Sequence, residues 1–137
     1  MIKKFVERFM QNQEEVLAAF RSEHPSDYLD VVKVVVKAIS DEHDGPDINR
    51  IHEIDDGEYQ GTLVYVIAEQ GYQPSRYWVT TVSYGSCSGC DTLQSIADYS
   101  DDVPTEYQAE QYYQLALNLV QDMKAVGWGS AEENNDE

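Results

Sequence analysis

Apolar residues recur every three or four positions at the start of the chain: Ile2, Phe5, Val6, Phe9, Val16, Leu17 and Phe20. That spacing predicts an amphipathic helix over residues 2 to 20 with one buried stripe. A second helix is expected in "EHPSDYLDVVKVVVKAISDE", capped by Ser26, with Tyr28, Val32, Val35, Val36 and Ile39 on one face. Its valines pull towards a strand, because β-branched side chains lose rotamer freedom in helices. Lys33 and Lys37, four positions apart, favour the helix.

The period then shortens. "DEHDGPDIN" reads as a loop broken by Gly45 and Pro46, and "RIHEI" as a short strand. "TLVYVIAE" and "RYWVTTVSY" are rich in β-branched and aromatic residues and predict two further strands. Their short connections favour an antiparallel meander. After residue 90 the helical period returns. "DTLQSIADY" carries Asp91 at an N-cap position with Gln94 three residues on, and Thr105 with Gln108 repeats that capping-box arrangement before a long helix. Ala109, Tyr113, Ala116, Val120 and Met123 form its expected apolar stripe, and Gly127 its stop. Tyr112 falls outside the stripe and reads as an exposed contact. The expected architecture is a single α+β domain over residues 1–129. It has two N-terminal helices, a three-stranded antiparallel sheet, then a short and a long helix, with the helices on one sheet face. Residues 130–137, "SAEENNDE", read as an acidic, flexible tail.

Composition changes this picture mainly through charge. A chain of 137 residues with 42% hydrophobic content can bury a real core. Nine Lys and Arg face 26 Asp and Glu, for a net charge of −17. Such a balance repels phosphate backbones and anionic membranes, so direct nucleic-acid binding and membrane association are not expected. The charge is also uneven. Residues 1 to 39 hold six bases and six acids, whereas from residue 86 onward Lys124 stands against eleven acids. The start "MIKKFVERFM" lacks the apolar run of a signal peptide, and a cytoplasmic location is the expectation.

The candidate chemistry lies in "YGSCSGCDTLQ", which places the two cysteines, Cys87 and Cys90, three positions apart. Two thiolates at that spacing can reach one tetrahedral zinc, but a site needs two more ligands. His24, His43, His52 or a second copy's cysteines would have to supply them, the last making a homodimer. A redox pair at a helix N-terminus is the next alternative, opposed by the negative charge of Asp91 beside Cys90. The residues favour a third reading. Gly85, Ser86, Ser88 and Gly89 make a tight corner in which small cysteines pack and Asp91 caps the following helix. On that reading there is no cofactor, with zinc as the alternative.

"DDGEYQGT", the strand ending in "YWVT" and above all "YGSCSGCDTLQ" resemble a group of small proteins encoded by tailed bacteriophages. The resemblance spans roughly residues 51 to 97 and brings no activity or catalytic residue with it. It implies a phage origin and a bacterial host cytoplasm. Together with the acidic second half, it leads to an expectation of a non-enzymatic accessory protein that binds and modulates a host or defence protein. In the sharpest form, acids imitate DNA phosphates and occupy the site of a nucleic-acid-binding protein. The acids assigned to that surface are Asp98, Asp101, Asp102, Glu106, Glu110 and Asp122. The alternative is a metal-binding or thiol-redox protein centred on Cys87 and Cys90.

Overall fold

The computed structural model describes residues 2–41, 45–57, 61–71, 76–85, 91–98 and 102–127. Its elements are α1 (Ile2–Gln11), α2 (Gln13–Ser22), α3 (Tyr28–Ile39), β1 (Pro46–Gly57), β2 (Gly61–Glu69), β3 (Arg76–Tyr84), α4 (Thr92–Ala97), α5 (Glu106–Gln121) and β4 (Lys124–Gly127). The class is α+β, and the sheet runs β1-β2-β3-β4 with every neighbouring pair antiparallel.

Register sorts the sheet into two faces. Ile51 lies opposite Ile67, which lies opposite Trp78, which lies opposite Ala125, and one step along Tyr65 faces Thr80. Ile67, Trp78, Ala125 and Tyr65 all belong to the buried core that the helices fill. Phe5 of α1 meets the Trp78 ring edge-on at 5.2 Å, and the hydroxyl of Thr80 donates to the Leu119 carbonyl of α5. The alternate residues form the other face: His52 and Ile54 of β1, Val64 and Val66 of β2, Tyr77 and Val79 of β3, and Val126 of β4. The helices therefore lie on one sheet face, as the periodicity requires.

Several boundaries differ from expectation, each for a local reason. The first helix is two. Asn12, where the apolar stripe lapses between Phe9 and Val16, turns its side chain to the Ala38 carbonyl at 2.8 Å, and α2 restarts beyond it. Arg8 reaches the neighbouring Ile39 carbonyl, so the break ties off the end of α3. Asp27, not Ser26, caps α3, accepting from the Asp30 amide, while the Ser26 amide donates back to Asp30. The valine-rich α3 is helical because it is buried on nearly all sides, with Val31, Val32, Val35 and Val36 enclosed. Burial of that area outweighs the few tenths of a kcal/mol per residue that β-branching costs.

β1 begins at Pro46 rather than Arg50, with an irregular register before Ile51. Gly45 precedes it at φ +96°, a conformation other residues rarely adopt, and its carbonyl accepts from the Gln70 amide. The sheet has a fourth strand. α5 stops at Gln121, and Lys124–Gly127 pairs with Arg76–Val79, so Gly127 ends a strand instead of a helix. Met123 packs in the core between them. The buried face of α5 comprises Ala109, Tyr112, Leu115, Ala116, Leu119 and Val120. Tyr112, expected on the surface, is fully enclosed between Phe20 and His24. Tyr113, expected in the stripe, lies at its margin, stacked on Phe9. The stripe is rotated because Tyr112 is the residue that meets α2. Residues 130–137, read as a mobile tail, lie outside the described residues.

Candidate partner-binding surface

Two corners carry most of the polar chemistry. The first leads from β3 into α4. Cys87 and Cys90 lie outside the described residues, but both ends of their turn are described. One carboxylate, Asp91, clamps them: it accepts from the Gly85 amide at 2.8 Å, from the Gln94 amide at 3.1 Å and from the Tyr28 hydroxyl at 2.7 Å. Tyr28 in turn accepts from the Leu93 amide, and burial is the main reason its phenol is pushed well above its ordinary range. The capping box expected here forms by halves. Asp91 caps, but the Gln94 side chain reaches back to the Gly85 carbonyl at 2.8 Å. The corner's ends are thus fastened to each other and to α3. Of the histidines proposed to complete a metal site, His24 is hydrogen-bonded through Nδ1 to Tyr112 at 2.6 Å. His52 sits in β1 opposite Val66, on the sheet face away from the helices, and His43 is outside the described residues. Among the described residues no group of three or more His, Cys, Asp and Glu is placed to hold a metal.

The second corner leads from α4 into α5, and it gathers most of the predicted acidic surface. Asp98 ends α4 in the left-handed conformation, φ +51°, which aspartate tolerates better than most residues. Asp102 follows in the connection, and Thr105 opens α5 with a complete capping box. The Thr105 hydroxyl accepts from the Gln108 amide, and Gln108 Oε1 accepts from the Thr105 amide. Gln108 Nε2 also donates to the Ile96 carbonyl, pinning α5 to the end of α4. Glu106 and Glu110 are one turn apart, hence neighbours on one helix side. All of Asp98, Asp102, Glu106 and Glu110 are exposed.

Glu106 is not simply a free acid. Arg21 of α2 grips it in a forked pair, Nε to Oε2 at 2.7 Å and Nη2 to Oε1 at 2.8 Å. That hydrogen bonding holds the Glu106 carboxyl below its ordinary range. Asp122 stands apart: it caps the C-terminal end of α5, a helix length of roughly 24 Å from Glu106. Asp101 is outside the described residues. The five described acids therefore divide into four at one end of α5 and a single carboxylate at the other.

Charge alone did not point to two further residues of this corner. Val103 and Tyr107 are each 70% exposed, the two most exposed large apolar side chains among the described residues. The signal in the sequence was weak but present: Tyr107 immediately follows a capped first helical position, where side chains face outward from the packing stripe.

The corner thus presents an aromatic and a branched aliphatic side chain within five residues of each other, bordered by carboxylates and held by the capping box, the Gln108 bridge and the Arg21 pair. Such an arrangement suits contact with a protein surface carrying an apolar pocket and basic groups. No protein-family profile, curated protein or solved structure matches this chain. Among the described residues, no helix is long and apolar enough to cross a membrane.

Proposed function

We propose that the protein is a non-enzymatic phage accessory protein that binds and modulates a host or defence protein whose own ligand is nucleic acid. The observation that carries this reading is the exposed pair Val103 and Tyr107 set among Asp98, Asp102, Glu106 and Glu110 on a firmly held corner. The acids supply long-range attraction and register, and Tyr107 supplies contact area at low entropic cost. No lysine or arginine occurs between Arg76 and Lys124, so nothing on α4 or α5 opposes that field. The resemblance to phage proteins supports a bacterial host cytoplasm as the setting of that encounter.

The test is capture of a partner from host extract on immobilised protein, with wild type beside Tyr107→Ala and a Glu106→Lys, Glu110→Lys double variant. The expected result is one host protein retained by wild type, lost from both variants, released by rising salt and displaced by duplex DNA. Retention that is insensitive to salt, to DNA and to both variants would overturn the reading.

A further inference from the structure

Between α2 and α3 the surface is hollowed. Val16 and Ala19 of α2, Val34 and Ala38 of α3, and Ile48 of β1 line a hollow of about 240 Å³. Ala19 lies open to solvent and Ile48 is 40% exposed, so the apolar lining reaches the surface. A second hollow of about 260 Å³ shares Ala19, Lys33 and Val34 with the first and continues past the end of α2 to His24 and Pro25. The two make one groove along the helix pair, offset by about one turn of α3.

The walls carry charge that the fold does not use. Lys33 and Lys37 stand one turn apart on the α3 wall, both exposed, and neither has an ion-pair or hydrogen-bond partner among the described residues. They are unpaired in a chain of 26 acids and nine bases. Like charges four apart on a helix repel, so an anion set between them relieves α3 itself. Glu15 on the α2 wall is likewise without an ion pair among the described residues. Glu23 and Asp30 line the second hollow, so the positive end of the groove is the end at Lys37. Both flanking backbones are helical and bonded internally, and offer no row of amides to an extended chain. A guest must bring its own satisfied backbone. Each hollow is also smaller than the roughly 300–1,000 Å³ of most small-molecule sites, and suits one side chain.

We infer that the groove between α2 and α3 receives an amphipathic helix of a partner protein, with acidic residues four apart set against Lys33 and Lys37. Two apolar side chains one turn apart enter the two hollows, and a basic residue on the guest's other flank meets Glu15. The small side chains of Ala19 and Ala38 let the guest approach closely. This site is additional to the corner at Val103 and Tyr107 and shares no residue with it. Its guest is acidic where the corner's is basic, so the two surfaces fail or hold separately.

The experiment is an amide chemical-shift titration of the full chain with a helical peptide, blocked at both ends, that carries leucines on one face and glutamates four apart beside them. Its lysine counterpart, a scrambled peptide of the same composition and decanoate are run beside it. Shifts confined to residues 15–24, 30–38 and 48 are expected with the glutamate peptide, with none from the other three. Lys33→Glu combined with Lys37→Glu should weaken the glutamate peptide about tenfold and admit the lysine peptide. Ala19→Gln, an exposed change that fills the groove, should weaken it with both lysines in place. No binding by the glutamate peptide overturns the inference. So do equal binding by the scrambled peptide, which would mean charge attraction without helix docking, and binding by decanoate alone, which would mean a small-molecule site. Loss of peptide binding in Tyr107→Ala would overturn it too, because the guest would then sit on the corner. Intact peptide binding in a Tyr107→Ala variant that no longer captures the host protein supports a separate site.

Discussion

Asp91 and Gln94 at the head of α4, and Thr105 and Gln108 at the head of α5, are the same device used twice. Each cap accepts from the amide three residues on, and each glutamine reaches back across a connection, to Gly85 in one case and Ile96 in the other. What differs is the direction in which the rest of the corner faces. At the first, the cap is buried and engaged by Tyr28, so all its polar capacity goes into joining sheet, α3 and α4. At the second, the cap is exposed and the flanking residues are Val103, Glu106 and Tyr107, which face solvent. One corner is internal structure, and the other presents its side chains to solvent. Substitution should separate the two cleanly.

The largest effect is expected from Asp91→Ala. It strands three donors in a buried site, the Gly85 and Gln94 amides and the Tyr28 hydroxyl, at about 1–3 kcal/mol each before relaxation. A net loss of about 3 kcal/mol in chemical denaturation is the expected result. A loss under about 1 kcal/mol would mean that the corner is not the fastening described. Tyr28→Phe should cost roughly 1–2 kcal/mol, since it removes a donor from Asp91 and an acceptor from the Leu93 amide.

That variant also has a pH signature. Burial pushes the phenols of Tyr28, Tyr65 and Tyr112 upward, Tyr112 to about 12. A phenol raised in the folded state contributes stability that is fully present below its unfolded value near 10 and is lost as pH climbs towards the folded value. Wild type should therefore lose stability steadily above about pH 10, and Tyr28→Phe should lose it with a shallower slope. Equal slopes would show that Tyr28 ionises no later folded than unfolded.

How far the two corners could be read from sequence follows from how local each feature is. The caps were legible, because Asp91 with Gln94 and Thr105 with Gln108 lie within one turn and local hydrogen bonding decides them. The sheet and the valine-rich α3 were legible from period. The destination of Gln94, the inward position of Tyr112 and the existence of β4 were not. Each depends on which neighbour arrives: Gly85 beside α4, Phe20 and His24 against α5, and the half of β3 left open for four residues of strand. The kink at Asn12 lies between these cases. The lapse in the apolar stripe was visible, but its cause, the Ala38 carbonyl, is contributed from the end of α3. Charge counting found the acids of the second corner and passed over Val103 and Tyr107, because the net charge of a segment says nothing about which apolar residues the packing leaves outside.

At the exposed corner the effects should be smaller and should shift from stability to binding. Thr105→Ala removes half of the capping box and should cost about 1 kcal/mol. Tyr107→Ala should leave stability within about 0.5 kcal/mol of wild type, since a side chain 70% exposed has little packing to lose. That near-neutrality is what gives the variant its value. A residue that contributes almost nothing to the fold has no structural reason to be a large aromatic in open solvent, two positions into a capped helix and between acids. If Tyr107→Ala proves as costly as Asp91→Ala, the ring is packed after all, the two corners are alike, and the distinction between an internal joint and a presented surface collapses. If stability is unchanged while partner capture is lost, the same capping device has served two ends within one chain, and the exposed corner is the one that acts.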